Sequence, residues 1–149
     1  MELRKFIERT AATGILGVKI TQNGEDMGKH LWDEECRRNI YSASKSFTSA
    51  AVGIAVKEGL LRLEERLVDA FSEDIPENPN EFLQQATVRD LLTMCLGQQN
   101  AELMGGQRPF YQQKDWVRMS LAFPFTECPG KRFLYNNVGP YLAGILVQR

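Results

Sequence analysis

Ser42-Ala43-Ser44-Lys45-Ser46-Phe47-Thr48-Ser49-Ala50-Ala51-Val52-Gly53-Ile54-Ala55-Val56-Lys57-Glu58-Gly59 is the most informative stretch of this 149-residue chain. It holds no proline, and from Ala50 to Val56 it is apolar nearly all round, which predicts a buried helix rather than a surface one. Gly59 supplies the stop, with Lys57 in the last turn facing the negative end of the helix dipole. Gly53 costs about 1 kcal/mol of helix propensity against alanine. Its expected return is close approach by a neighbouring element.

Upstream of this helix, residues 2–11 read as a short helix with Leu3, Phe6 and Ile7 on one face. Gly14 to Thr21 then alternates as a strand does. Asn23-Gly24 follows, a two-residue turn signal because both central residues of a type I′ turn need positive φ. A return strand is expected over Asp26 to Trp32, then a charged connection over Asp33 to Arg38. Downstream, Leu60 to Phe71 is short and amphipathic, and Ser72 to Asn80 is a proline-containing loop. Thr87-Val88-Arg89-Asp90 resembles a capped helix start running towards Gly97. Gln98 to Gln107 reads as loop and Lys114 to Ala122 as helix. Pro129-Gly130 turns the chain into Phe133-Leu134-Tyr135, and either Asn136 or Asn137 can cap a last helix over Val138 to Val147. The expectation is a helix-rich molecule with few strands.

The chemistry begins at Ser42-Ala43-Ser44-Lys45, an S-x-x-K pattern. Residues three apart share a helical face, so the Ser42 hydroxyl and the Lys45 amine can meet. A serine hydroxyl is a poor nucleophile until a base takes its proton. A lysine serves as that base when burial disfavours its ammonium form. The helix start also aims free backbone N–H groups, that of Ser42 among them, at an oxyanion forming beside the hydroxyl. Alone the pattern says little, since average composition yields it about once in 250 residues. Ser42 as a helix cap beside a solvated Lys45 would explain it equally. Tyr135-Asn136-Asn137 adds a phenol able to shuttle a proton and an amide able to position the lysine and a carbonyl. Taken alone it also fits a core tyrosine before a capping asparagine. The order of the two patterns, each at a helix head, is what matters.

Composition excludes other classes. The net charge of −1 carries no nucleic-acid or anionic-membrane footprint. No apolar run is long enough for a membrane span. Met1-Glu2-Leu3-Arg4-Lys5 opens an amphipathic stretch rather than a secretory core, which predicts a cytoplasmic protein. Cys36, Cys95 and Cys128 lack metal-ligand spacing and are expected to be reduced, mostly buried thiols. The sole histidine, His30, falls on a predicted strand, far from any Cys–His site.

Together these segments resemble the serine β-lactamase and penicillin-binding superfamily, in the branch of class C β-lactamases, D-alanyl-D-alanine peptidases and related esterases. The resemblance runs through Ile40–Thr48, Val56-Lys57-Glu58-Gly59-Leu60-Leu61-Arg62-Leu63, Thr87-Val88-Arg89-Asp90-Leu91-Leu92-Thr93 and Pro129–Gly139. It implies an α/β (α+β) β-lactamase/transpeptidase-like fold, here incomplete. Residues 1–40 would give the helix and hairpin of the α/β sandwich and residues 41–149 a mainly helical region of the same domain, with the C-terminal strands absent. It implies that Ser42 is acylated, Lys45 activates it, Tyr135 works in acid–base transfer, and Asn137 binds substrate and holds Lys45. Lys45 and Tyr135 would titrate as a coupled pair, either one serving as general base. The substrate would be a small ester, amide, β-lactam or peptide, with no metal or organic cofactor. Two departures stand out. No K-T-G or H-x-G-like third element is found, and losing one oxyanion donor costs on the order of 100- to 1000-fold in rate. Met94-Cys95-Leu96-Gly97 also departs from the family's helix ending. The chain by itself is therefore expected to turn over little substrate. The alternative is a non-catalytic ligand- or protein-binding module. Apolar surface left on the hairpin and last helix would invite self-association or pairing with a missing C-terminal half.

Overall fold

The computed structural model describes residues 3–149, and its contacts divide the chain into two units, one ending at Ile40 and one running from Tyr41 to Arg149. The first holds helix α1 (Arg4–Thr10) and an antiparallel hairpin of β1 (Gly17–Gln22) and β2 (Glu25–Leu31). Glu2, the first residue of the expected helix, lies outside the described residues, as does Met1. At the hairpin tip Asn23 and Gly24 take φ of 53° and 83°, the two left-handed residues a type I′ turn requires. The register shifts between Ile20 and Thr21, a bulge that keeps the ladder paired beyond it. β1 starts three residues later than the alternation suggested, because Gly14 and its neighbours still form the turn out of α1. Phe6 meets Trp32 with ring centroids 6.3 Å apart, so the apolar side of α1 lies on the hairpin.

The second unit is helical. A 3-10 turn (Tyr41–Ala43) leads into α2 (Ser44–Lys57), followed by α3 (Leu67–Ala70), α4 (Glu81–Gln85) and α5 (Val88–Thr93). A second 3-10 turn (Arg108–Phe110), α6 (Trp116–Ala122) and α7 (Val138–Gln148) complete it. Local chemistry sets the ends. At Gly59 (φ +76°) the helix α2 closes as a Schellman motif, with Gly59 N–H on Val56 O (3.1 Å) and Leu60 N–H on Ala55 O (2.9 Å). Asp90 accepts from the Thr87 backbone N–H (2.9 Å) at the start of α5. Asp115 accepts from Arg118 N–H at 3.0 Å at the start of α6. Of the two candidate caps for α7, Asn136 is the one that acts: its side-chain oxygen accepts from Gly139 N–H at 3.1 Å.

α7 is the centre of the core. Val138, Leu142, Ala143 and Leu146 are buried on it, and it packs against both α2 and α5. A Cβ on Gly139 would stand 2.3 Å from Leu91 O, so α5 and α7 meet backbone to backbone there. Val52, Leu67, Phe71, Leu91 and Leu121 fill the space around it.

Several expectations are corrected. α2 is not buried all round: only Val52 and Ala55 are buried, while Phe47 is 70% and Ile54 58% exposed. Where nearly every position is small or apolar, periodicity cannot say which face is covered, and α7 covers one. A Cβ on Gly53 would meet nothing within 4 Å, so close approach belongs to Gly139 instead. Nor is the last helix left uncovered, since Val138, Gly139, Leu142, Ala143 and Leu146 of α7 are all buried. Leu60 to Phe71 is helical only over α3, because residues 63–64 form a turn and Arg66 bridges Thr87 just before α5, with Arg89 N–H donating to Leu63 O at 2.8 Å. α4 was not anticipated; Asn80 caps it by accepting from Leu83 N–H at 3.0 Å. The three cysteines are free, but Cys36 and Cys128 are exposed and Cys95 half-buried. Each lies in an irregular connection, where no apolar layer covers it.

Candidate active site

All four residues singled out in the sequence lie in the helical unit. Tyr41, immediately before Ser42, has φ +45°, a left-handed conformation costly for a side chain of that size. Ser44 Oγ donates to Tyr41 O at 2.6 Å and holds this turn. The result delivers Ser42 at the head of α2, in the 3-10 turn that precedes it. Lys45, one turn on, donates from Nζ to Ser42 Oγ at 3.0 Å, as the three-residue spacing requires.

Tyr135 arrives from a distant stretch. Its segment is fastened to the end of α5, where Met94 takes φ +55°. Gly130 N–H donates to Cys95 O (2.8 Å) and Leu134 N–H to Met94 O (2.9 Å). The Met94–Gly97 departure thus lies in the backbone that docks the tyrosine. The phenol hydroxyl then donates to Ser42 Oγ at 2.7 Å, and Lys45 Nζ stands 5.2 Å from the phenol ring centroid. One serine oxygen therefore accepts from an amine and a phenol together.

The phenol of Tyr135 is held below its ordinary value near 10. Hydrogen bonding with the Ser42 side chain and then with Lys45 favours the phenolate, and the Lys45 charge adds to this against an opposing effect of burial. Lys45 is half-buried and opens onto a pocket, so the apolar enclosure foreseen for its amine is incomplete.

The Asn137 side chain bonds a loop rather than Lys45, which it was expected to hold. Its Nδ2 donates to Leu103 O at 2.9 Å and its backbone N–H to Glu102 O at 3.1 Å, tying the 101–111 loop to the head of α7. Leu103 itself is left-handed (φ +57°). Asn137 and Lys45 nonetheless line one pocket of about 310 Å³, with Thr48, Leu103, Arg108, Trp116 and Tyr141. The sequence reading missed these others. Thr48 and Tyr141 were reachable, being one helical turn from Lys45 and from Asn137; Arg108 and Trp116 carry no such signal. Among the described residues no group of three or more His, Cys, Asp or Glu could hold a metal ion. No helix among them is long and apolar enough to cross a membrane.

A helical unit carrying a hydroxyl, an amine and a phenol at one point defines the class of the β-lactamase-like folds. The chain belongs to the beta-lactamase family, whose family model matches residues 3–149. Solved structures share the fold. A presumed beta-lactamase from Bacteroides dorei DSM 17855 is 18% identical with a TM-score of 0.74, the match covering 98% of this chain and 45% of that one. The D-amino acid amidase from Ochrobactrum anthropi SV3, solved with L-phenylalanine, is 22% identical at TM-score 0.65, covering 97% and 43%. A presumed 6-aminohexanoate-dimer hydrolase from Bacillus anthracis is 16% identical at TM-score 0.68, covering 99% and 42%. The chain thus spans less than half the length of these structures. No curated protein matches it.

Proposed function

We propose that this chain carries the nucleophile side of an acyl-serine hydrolase site, with Ser42 as the residue acylated. The observation that carries the reading is the Ser42 oxygen, 2.7 Å from the Tyr135 hydroxyl and 3.0 Å from Lys45 Nζ. A phenol with a lowered pKa is a base closer to working pH, and the neighbouring amine keeps it so.

In the proposed reaction Tyr135, as phenolate, takes the Ser42 proton while Oγ bonds to the substrate carbonyl carbon. The carbonyl electrons move to oxygen, and backbone N–H groups at the head of α2 face that charge. Collapse breaks the bond to the leaving group, which takes the proton back from Tyr135. Water then attacks the ester, gives its proton to the Tyr135–Lys45 pair, and Ser42 departs with a proton from it. Asn137, on the pocket wall, is proposed to orient the acyl carbonyl. The substrate class is a small ester, amide, β-lactam or peptide. The outward face of α2, with Phe47 and Ile54 exposed, is where a further segment or second copy would seat.

The second reading is a binding module without turnover, in which the pocket lined by Lys45, Arg108 and Asn137 holds a ligand that Ser42 does not attack. Exposure to a fluorescent penicillin, p-nitrophenyl acetate and a D-amino acid amide, followed by peptide mass spectrometry, separates the two. An acyl adduct on Ser42 that disappears in Lys45→Ala supports the hydrolase. Ligand retention with no adduct from any of the three supports the binding module.

A further inference from the structure

The pocket beside the proposed nucleophile has an uneven charge. Its lining includes two cations, Lys45 and Arg108, and no carboxylate, in a chain whose net charge is −1. The Lys45 amine is engaged with Ser42. Arg108 is placed differently: its Nε donates to Leu103 O at 3.2 Å, which fixes the base of the guanidinium. Among the described residues no carboxylate forms an ion pair with it, although ten such pairs occur elsewhere in the molecule. Leu103 O also accepts from Asn137 Nδ2, so one carbonyl ties Arg108 to the Asn137 wall. The same lining includes the rings of Trp116 and Tyr141, packed edge to face with centroids 6.2 Å apart, an apolar surface suited to a short methylene chain. The volume, about 310 Å³, equals that of about ten waters, which suits a small acyl group rather than a polymer.

We infer that Arg108 is a specificity residue whose guanidinium holds a carboxylate at the far end of the acyl group, so that the preferred substrates are esters or amides of short dicarboxylic acids. A planar fork with its Nε already fixed presents the remaining N–H groups to a carboxylate in the two-point geometry that lysine cannot offer. The inference rests on the acyl-serine reading for its meaning as substrate choice, but the binding itself does not require Ser42.

Glutaramate, a five-carbon carboxylate ending in a neutral amide, is the probe, and butyramide is its uncharged counterpart. Binding to the chain is followed by ligand-observed NMR titration, with thermal melts confirming that each variant is folded. The expected result is saturable glutaramate binding, weakened tenfold or more in Arg108→Gln and only in part in Arg108→Lys, with butyramide indifferent to both. Glutaramate binding no tighter than butyramide, or unchanged in Arg108→Gln, overturns the inference. Loss of Ser42 acylation alongside intact Arg108-dependent binding would instead sink the hydrolase reading and leave the carboxylate site standing.

Discussion

At the scale of single residues the molecule hinges on one oxygen that accepts from two donors. Ser42 Oγ cannot give up its proton to a group still holding its own, so the proposed reaction begins with loss of the Tyr135 proton, which the lowering of the phenol favours. Its sign sets a test. Tyr135 should ionise below the ordinary tyrosine value, and Lys45→Met should move that ionisation upward, since a hydrogen bond and a charge that favour phenolate are both removed. Ultraviolet difference titration, with Tyr135→Phe to assign the signal, reads it. Equal ionisation in Lys45→Met and the unaltered chain would deny the coupling. Tyr135→Phe should slow acylation of Ser42 by about 10²- to 10⁴-fold, the usual weight of one acid–base group. The meeting of Ser42 and Lys45 was legible because a three-residue spacing fixes what shares one helical turn, whereas the approach of Tyr135 depends on its segment docking on the end of α5. Arg108 was not legible, because its position depends on how the left-handed Leu103 folds the 101–111 loop, and no local pattern encodes that.

Between elements, the α5–α7 crossing is the contact with the least room. Gly139→Ala would drive a Cβ into Leu91 O and should destabilise the chain by about 1–3 kcal/mol, as overpacking does. Gly53→Ala, on the open side of α2, should stabilise it by about 1 kcal/mol, because it adds helix propensity and meets nothing. Urea titrations of both variants give the two signs directly; a stabilising Gly139→Ala would contradict the packing described. These two glycines also show where sequence reading stops. The turn at Asn23-Gly24 and the end of α2 at Gly59 are local backbone demands and could be read. Whether a helical glycine faces open space or a neighbour's carbonyl depends on partners far along the chain. The same holds for α2 as a whole: its apolar composition announced a helix but not which side would be covered, and the turn at residues 63–64, with Arg66 bridged to Thr87, stands where an amphipathic helix was expected.

On the scale of the whole molecule, the notable feature is an uncovered apolar stripe. Phe47 and Ile54 lie on one side of α2, seven residues apart, and both stay exposed. Stripes of this kind seek a partner. Sedimentation velocity over a range of concentrations should show self-association of the chain, reduced in Phe47→Asp and Ile54→Glu without loss of thermal stability. A concentration-independent monomer would mean that the stripe is tolerated as it stands. The fold class and the family likeness were readable because four separated segments kept their order; the chain's coverage of less than half of each structural neighbour is the counterpart of the absent third motif.

Whether Ser42 is an activated nucleophile decides the hydrolase reading of this site. Its rate of phosphonylation by a fluorophosphonate, followed by intact mass and peptide mapping, reports this without needing turnover or a known substrate. A single adduct on Ser42 is expected, absent in Ser42→Ala and strongly slowed in both Lys45→Ala and Tyr135→Phe. Labelling of Ser42 at the same rate in all but the serine variant, or no labelling of it at all, would show that the amine and the phenol do not activate it.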